Sequence, residues 1–192
     1  MINEKLRGTK TEQNLINAFA GESMARNRYT YFSKIAKAEG YEQIAEIFLL
    51  TAENEKEHAK LFYKPLGNIC GKVNAEYPFE LGNTIQNLES AVKGEHEEWD
   101  CLYVQGEKDA IEEGFEEIAD TFHHVIEAEK HHHQRFLKLL ENVKNKTVFK
   151  KEKETNWMCR ECGYVTRAKE APKECPNCHH ARAYFQVLCE NY

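Results

Sequence analysis

Apolar residues recur at three- and four-residue spacing through most of the first 145 positions of this 192-residue chain. Ile44, Phe48 and Leu50 form one stripe and Ile118, Phe122 and Val125 another, the core-facing pattern of amphipathic helices. Four long helices are predicted. The first begins near Thr9, with Glu12 in capping-box spacing, and runs to about Glu39. The second follows Gly40 and stops before Pro65. The third starts near Asn83, with Gln86 completing a cap, and the fourth runs from Gly114 to about Asn145. Between the second and third lies a Gly- and Pro-containing stretch, Pro65 to Gly82. Extended, its ~17 residues reach ~55 Å, more than the ~35–40 Å length of a helix, so the second and third helices can run parallel. The pattern predicts a four-helix bundle with one long crossover.

One part of the bundle is written twice. Residues 39–62 and 113–136 are identical at 11 of 24 positions, at an offset of 74. The identities include Glu55 with His58 and Glu129 with His132, each a Glu-x-x-His pair. Three residues of helix turn the chain by ~300°, so Glu and His project about 60° apart on one face. Two such pairs on facing helices can give each of two metal ions an imidazole and a bridging carboxylate.

Upstream, Glu22 precedes Glu55 by 33 residues and Glu95 precedes Glu129 by 34, with Gly40 and Gly114 lying between. If each half is a hairpin turning at its glycine, Glu22 and Glu55 lie ~27 and ~22 Å from the turn, roughly level, and Glu95 and Glu129 match them. Asp120 with His123 is only 6 residues past Gly114, and His124 with Glu127 has no counterpart in the first half, so neither pair fits. Three residues after Glu22 stands Ala25, whereas three after Glu95 stands Glu98. The candidate ligands are therefore Glu22, Glu55, Glu95, Glu98 and Glu129 with His58 and His132. Ligation by oxygen and nitrogen alone suits iron or manganese. Acidic residues on long helices are ordinarily solvated, but a duplication that preserves ligand pairs at matched heights favours a two-metal centre.

After Asn145 the text changes. Residues 146–156 are polar and charge-rich, read as a linker or extended arm between a 1–145 bundle and a 157–192 domain. In that domain Cys159-Arg-Glu-Cys162-Gly163-Tyr164 is followed by Cys175-Pro-Asn-Cys178. Two Cys-x-x-Cys knuckles can surround one ion tetrahedrally, and Gly163 allows amide N–H groups to turn toward the sulfurs. So short a domain buries little core, and the metal is expected to supply much of its stability, with Trp157, Tyr164, Tyr184 and Phe185 packed around it. Spacing alone suits structural zinc as well as iron. The adjoining two-metal bundle favours iron, because a one-electron centre would have work to do beside it. Cys70, Cys101 and Cys189 are read as unpaired thiols, and His131 and His133 as exposed.

The chain is mildly acidic, with formal charge −6, distributed as −7 over residues 1–150 and +1 over 151–192. No basic stripe marks a nucleic-acid partner. No apolar run approaches the ~20 residues of a membrane span, and no signal-peptide core stands at the start, so a cytoplasmic protein is expected.

Several stretches together carry a resemblance: AGESMARNRYTYF around Glu22, ENEKEH at Glu55 and His58, KGEHEEWD at Glu95 and Glu98, AEKHHHQRF at Glu129 and His132, then CRECGY and CPNC. Over nearly its whole length the chain resembles the rubrerythrins, with the bundle first and the rubredoxin-like module last. The resemblance implies a mostly α, ferritin-like four-helix bundle with a small rubredoxin-like β domain. Three irons per chain are implied, one di-iron-oxo centre and one Fe(S-Cys)4, and zinc can take the place of iron. It implies a non-haem di-iron peroxidase of oxidative-stress defence, and a homodimer in which one subunit's rubredoxin centre approaches the partner's di-iron site. Tyr29 and Tyr103 look like the family's proton-supplying groups near the metals, and one iron is implied to move between Glu98 and His58 with redox state. The sequence departs from the pattern at Val104-Gln105-Gly106, where relatives often have a Pro, which bears on where the third helix ends.

The expected reaction is two-electron reduction of hydrogen peroxide to water, with a nearby carboxylic acid or Tyr protonating the departing oxygen. No Gly-x-Gly-x-x-Gly occurs, so electrons are expected from a separate NAD(P)H-dependent reductase or a rubredoxin. Two other readings compete: a ferroxidase or oxidase of the ferritin-like class, and a non-catalytic scaffold with a zinc ribbon.

Overall fold

The computed structural model describes residues 4–190. Helices α1 (Lys10–Ala38) and α2 (Glu42–Tyr63) make the first hairpin. The second comprises α3 (Thr84–Glu97), a π turn over Glu98–Leu102, α4 (Tyr103–Glu112) and α5 (Glu116–Lys144). Both hairpins turn at glycines in the left-handed region, Gly40 (φ 84°) and Gly114 (φ 79°), where a side chain would be strained. Thr9 caps α1 by accepting from the Glu12 amide (3.1 Å), while Glu12 reaches back to the Gly8 amide instead of completing the box. At α3 the box is complete: Asn83 accepts from the Gln86 amide and Gln86 from the Asn83 amide, both at 3.0 Å.

The crossover carries no regular structure between Leu66 and Thr84, apart from a bend or two, because it lies along α1 and borrows its hydrogen bonds there. The Gln13 side chain donates to the Lys72 carbonyl and the Asn74 amide donates to Asn17, each at 2.9 Å. The Thr84 amide then donates to Glu39 at the far end of α1. α3 thus starts beside the first hairpin's turn and runs parallel to α2, the one-crossover ferritin-like topology.

Two apolar layers fill the bundle. One joins Leu15, Phe62, Tyr103 and Phe122; the other joins Tyr29, Phe32, Phe48 and Phe136. Along α1, α2, α3 and α5 the candidate ligands fall between these layers, which is what the matched hairpin heights require. Leu50, read as core, is instead 52% exposed. It lies ~200° around the helix from Phe48, so both cannot face one core, and Thr51 and Ala52 are buried in its stead.

The C-terminal domain is an antiparallel sheet of β1 (Lys150–Cys159), β2 (Val165–Glu170) and β3 (Phe185–Val187), in the order β2-β1-β3. Residues 150–156, placed in the linker by sequence, belong to β1, and Lys150 already pairs with Glu170. Their alternation is masked because most of these side chains are polar on both faces. Trp157 and Phe185 are fully buried, with Tyr164 and Tyr184 packed at the edge. Among the described residues, no helix is long and apolar enough to cross a membrane.

Candidate metal centres

Six bundle side chains meet between the apolar layers. Glu22, Glu55, His58 and Glu129 can each bring one ligand atom within 4.8 Å of the others, and so can Glu55, Glu95, Glu129 and His132. Glu55 and Glu129 belong to both groups, the position of bridging carboxylates between two ions. His58 Nδ1 lies 2.7 Å from Glu129 and 3.0 Å from Glu55; His132 Nδ1 lies 2.8 Å from Glu129 and 3.3 Å from Glu55. The two rings stack with centroids 5.8 Å apart.

His132 Nδ1 and Glu129 Oε2 are hydrogen-bonded at 2.8 Å, but many of the neighbouring polar atoms have no partner. Buried atoms without a partner include Glu22 Oε2, both oxygens of Glu55, His58 Nδ1, Glu95 Oε2 and Glu129 Oε1. A buried carboxylate left unpaired is costly, and four together repel one another. Shared cations resolve both costs, so the donor set fits a pair of hard or borderline divalent ions.

Without cations the cluster holds on to protons instead. Burial, reinforced by Glu129, Glu55 and Glu98, raises Glu22 well above the usual carboxylate range, and burial with Glu129 brings Glu95 to about 7. Burial alone would lower the imidazoles, but Glu129 and Glu55 outweigh it, lifting His58 to about 9 and His132 to about 12.

The tyrosines bridge the hairpins crosswise. Tyr103 donates to Glu22 (2.7 Å) and Tyr29 donates to Glu95 (2.5 Å). Burial, then the adjacent Glu95 or Glu22, raises both phenols well above their usual value, so they remain donors. Tyr29 follows Glu22 by 7 residues, but Tyr103 follows Glu95 by 8. The π turn absorbs the extra residue, with the Tyr103 amide bonding to the Glu98 carbonyl. That same residue makes the carboxylate spacings 33 and 34 in the two halves.

Glu98, which begins the π turn, is in neither four-residue group. It is half-buried on the wall of a side cavity, and burial with the charges of Glu95, Glu129 and Glu55 raises it well above the usual range. Of the two residues between which the resemblance lets one iron move, the structure therefore groups His58 with the cluster and leaves Glu98 outside. Sequence reading missed Arg28, buried beside Glu98 in the same wall. Its signal was a charge three residues after core-facing Ala25, on the inward face of α1. His123, His124 and His131 are exposed, while His133, expected to be exposed, is half-buried against His96 at 5.3 Å between ring centroids. The third helix does not end at Val104-Gln105-Gly106: α4 continues through it, and Gly106 sits where a Cβ would come 2.7 Å from the Phe122 ring.

In the C-terminal domain Cys159, Cys162, Cys175 and Cys178 converge. Cys159 and Cys178 sulfurs are 3.7 Å apart and those of Cys162 and Cys175 3.6 Å. A metal–sulfur tetrahedron of about 2.3 Å has edges of ~3.8 Å, whereas a disulfide would need ~2.05 Å. Backbone amides of Glu161 and Cys162 point at Cys159, that of Tyr164 at Cys162 and that of His180 at Cys178. The Asn177 side chain and the Tyr164 amide bring Cys162 down to about 6, poised as a thiolate. Cys70, Cys101 and Cys189 are free and exposed.

A family model described as Rubrerythrin matches residues 13–140, and one described as rubrerythrin, rubredoxin-like domain, matches residues 157–186. The chain belongs to the rubrerythrin family. It is 51% identical to a putative rubrerythrin of Methanocaldococcus jannaschii, covering 95% of each chain. It is 50% identical to Rubrerythrin-1 of Clostridium acetobutylicum, over 98% of this chain and all of the relative. Among solved structures, fully reduced, all-ferrous nigerythrin superposes with TM-score 0.64 at 28% identity, over 95% of this chain and 91% of that one. Membership makes the chain an oxidoreductase-type protein with a di-iron and a four-cysteine rubredoxin-like module.

Proposed function

We propose that the chain reduces hydrogen peroxide to water as a cytoplasmic di-iron peroxidase, with electrons relayed through an Fe(S-Cys)4 centre. The observation that carries this reading is the buried cluster of unpaired carboxylates and imidazoles in a chain that also bears a tetrathiolate. In this reading Glu22 and His58 would hold one iron, Glu95 and His132 the other, with Glu55 and Glu129 available to both, and the four cysteines would hold the third. Two ferrous ions in the bundle would supply the two electrons that reduce one peroxide.

The chain's own residues do the rest. The apolar layers exclude bulk water from either side of the cluster. Tyr103 and Tyr29 fix the carboxylates of Glu22 and Glu95 by donating to them. Glu98, on the cavity wall and raised well above the carboxylate range by burial and by Glu95, Glu129 and Glu55, would protonate the departing oxygen.

The relay is proposed to run between subunits of a homodimer. The C-terminal domain sits at the turn end of its own bundle: Arg160 pairs with Glu46, and Phe149 stacks on Tyr41 at 6.2 Å. From Glu46 to Glu55 is ~14 Å of helix before the cluster begins, which favours a closer approach by a partner's module. A reductase or rubredoxin would deliver the electrons. Anaerobic iron loading followed by stopped-flow mixing with peroxide and with oxygen tests the reading: peroxide should oxidise the bundle irons faster than oxygen. Faster reaction with oxygen would support instead the ferroxidase or oxidase reading, which the position of Glu98 outside both groups favours.

A further inference from the structure

The duplication that writes the metal ligands twice does not write their surroundings twice. At the offset of 74, Arg135 of α5 stands where the first half has Leu61, and Arg28 of α1 stands where the second half has Leu102. Both leucines are exposed, at 42% and 52%, whereas Arg28 is buried and Arg135 half-buried.

The two arginines converge on one end of the cluster. Arg28 Cζ lies 5.6 Å from the ring centre of Tyr29, whose hydroxyl donates to Glu95. A Cβ on Gly94, the chain neighbour of Glu95, would come 2.9 Å from Arg28 Nη2. Arg135 stands one helical turn, ~5 Å, beyond His132. Its Nη2 donates to Thr51 on α2 (2.6 Å), one turn before Glu55. Burial lowers the Arg135 guanidinium, and the groups acting against burial are Glu95, then Glu55 and Tyr29. Nε of each arginine is buried without a hydrogen-bond partner, so neither guanidinium is fully matched by its direct neighbours. The other end of the cluster is different. There the Tyr103 hydroxyl donates to Glu22, and its ring packs on Phe62 and Phe122 with centroids 5.3 and 5.9 Å away. Cations flank one end and aromatic rings the other.

We propose that Arg28 and Arg135 make the two ion positions unequal, so that an iron at Glu95 and His132 is the more easily reduced and accepts the first electron returned by the tetrathiolate iron. The inference deepens the peroxidase reading and rests on its assignment of two irons to the cluster. The step moves one electron: the tetrathiolate iron goes from ferrous to ferric and the bundle iron from ferric to ferrous. A nearby positive charge opposes any cation, and opposes a ferric ion more than a ferrous one. At an effective dielectric of ~20, a unit charge roughly 10 Å away shifts either equilibrium about tenfold or more.

Crystals of the full chain are given one Co2+ per chain beyond the tetrathiolate, and anomalous scattering reads the cobalt at each position. Arg135→Gln keeps a donor for Thr51 but loses the charge. It should raise the ratio of cobalt at Glu95–His132 to cobalt at Glu22–His58 about tenfold. Arg135→Lys should stay near the wild-type ratio. Leu61→Arg, which gives the other end the charge it lacks, should raise the ratio as well. In the iron-loaded protein, Arg135→Gln should lower the potential of the first bundle reduction by about 59 mV, a tenfold change for one electron, with the tetrathiolate potential unchanged. Equal ratios and potentials in wild type and Arg135→Gln overturn the proposal. Equal shifts in the Gln and Lys variants overturn it too, since Arg135 would then act only by bracing Thr51. Should Arg135→Gln fail to fold, Arg28→Gln and Leu61→Arg carry the same two measurements. Neither measurement uses peroxide, so a wild type that does not reduce peroxide sinks the peroxidase reading alone, whereas a cluster that takes up a single ion at any loading overturns both.

Discussion

The bundle surrounds its cluster with two layers containing Tyr29, Phe32, Phe48, Phe62, Phe122 and Phe136, all fully buried. Among the described residues of the C-terminal domain, only Trp157 and Phe185 are large side chains buried to that degree. The first region can meet the cost of crowding carboxylates from its own apolar burial. The second has little to spend, and two of its four converging cysteines, Cys159 and Cys175, are themselves part of the core. In the bundle the fold imposes the metal site, whereas in the small domain the metal site is a large part of the fold.

The strongest test of that contrast is Cys178→Ser. Structural metal in small domains contributes on the order of 10–16 kcal/mol, so its loss should unfold the sheet while leaving the helices folded. Hydrogen exchange should show β1 unprotected and α5 unchanged, and reductase-driven peroxide reduction should fall to background. Continued protection of β1 would show that Trp157 and Phe185 suffice without the ion. Retained turnover after complete loss of that iron would remove the relay.

Phe136→Ala probes the other side. Its ring lies 5.1 Å from Phe48 and 5.3 Å from Tyr29, and deleting it should cost the metal-free bundle about 3–5 kcal/mol. Urea unfolding followed at the helices should shift accordingly, with no shift in the tetrathiolate colour.

Glu98→Ala restores the first half's Ala25 pattern without touching either ligand group. If Glu98 supplies the proton, stopped-flow oxidation of the ferrous protein by peroxide should slow about 10²-fold, with helix content and tetrathiolate colour intact. Exposed Glu97→Ala is the control. Equal rates in both variants and wild type would make Glu98 an ordinary wall residue.

The smallest effect is a slope. In the metal-free bundle Glu95 keeps its proton to about 7 while the unfolded chain loses it near 4.5, so the folded state binds more protons and stability falls as pH rises through that window. His58, raised to about 9, has the same sign: its contribution is full below about 6.5 and is lost as pH rises toward 9. Unfolding free energy without metal should therefore decline from pH ~5 to ~9, by on the order of 1 kcal/mol per unit at the steepest, with melting temperature falling in step. Metal loading should flatten the curve. A flat metal-free curve would mean that the cluster is not proton-filled when empty.

Much of this could be read in the one-dimensional text. Glu55-x-x-His58 and Glu129-x-x-His132 are three residues apart on helices, and helical geometry alone puts each pair on one face. The level hairpins follow from counting residues to Gly40 and Gly114, and the four sulfurs from two short knuckles. These are local or additive quantities, so the sequence determines them. What the tertiary structure alone decided depends on how elements pack against one another. The extra residue of the second half was visible as a spacing of 34 against 33, but only packing placed it in a π turn that begins at Glu98 and lets Tyr103 reach Glu22. Leu50 carried the right residue type on the wrong side of α2. Residues 150–156 became strand because a partner strand, remote in sequence, supplied the hydrogen bonds. Arg28 is a charge that becomes meaningful only once Gly94, Tyr77 and the crossover close around it, since burial and unpaired donors are properties of neighbours brought together by folding.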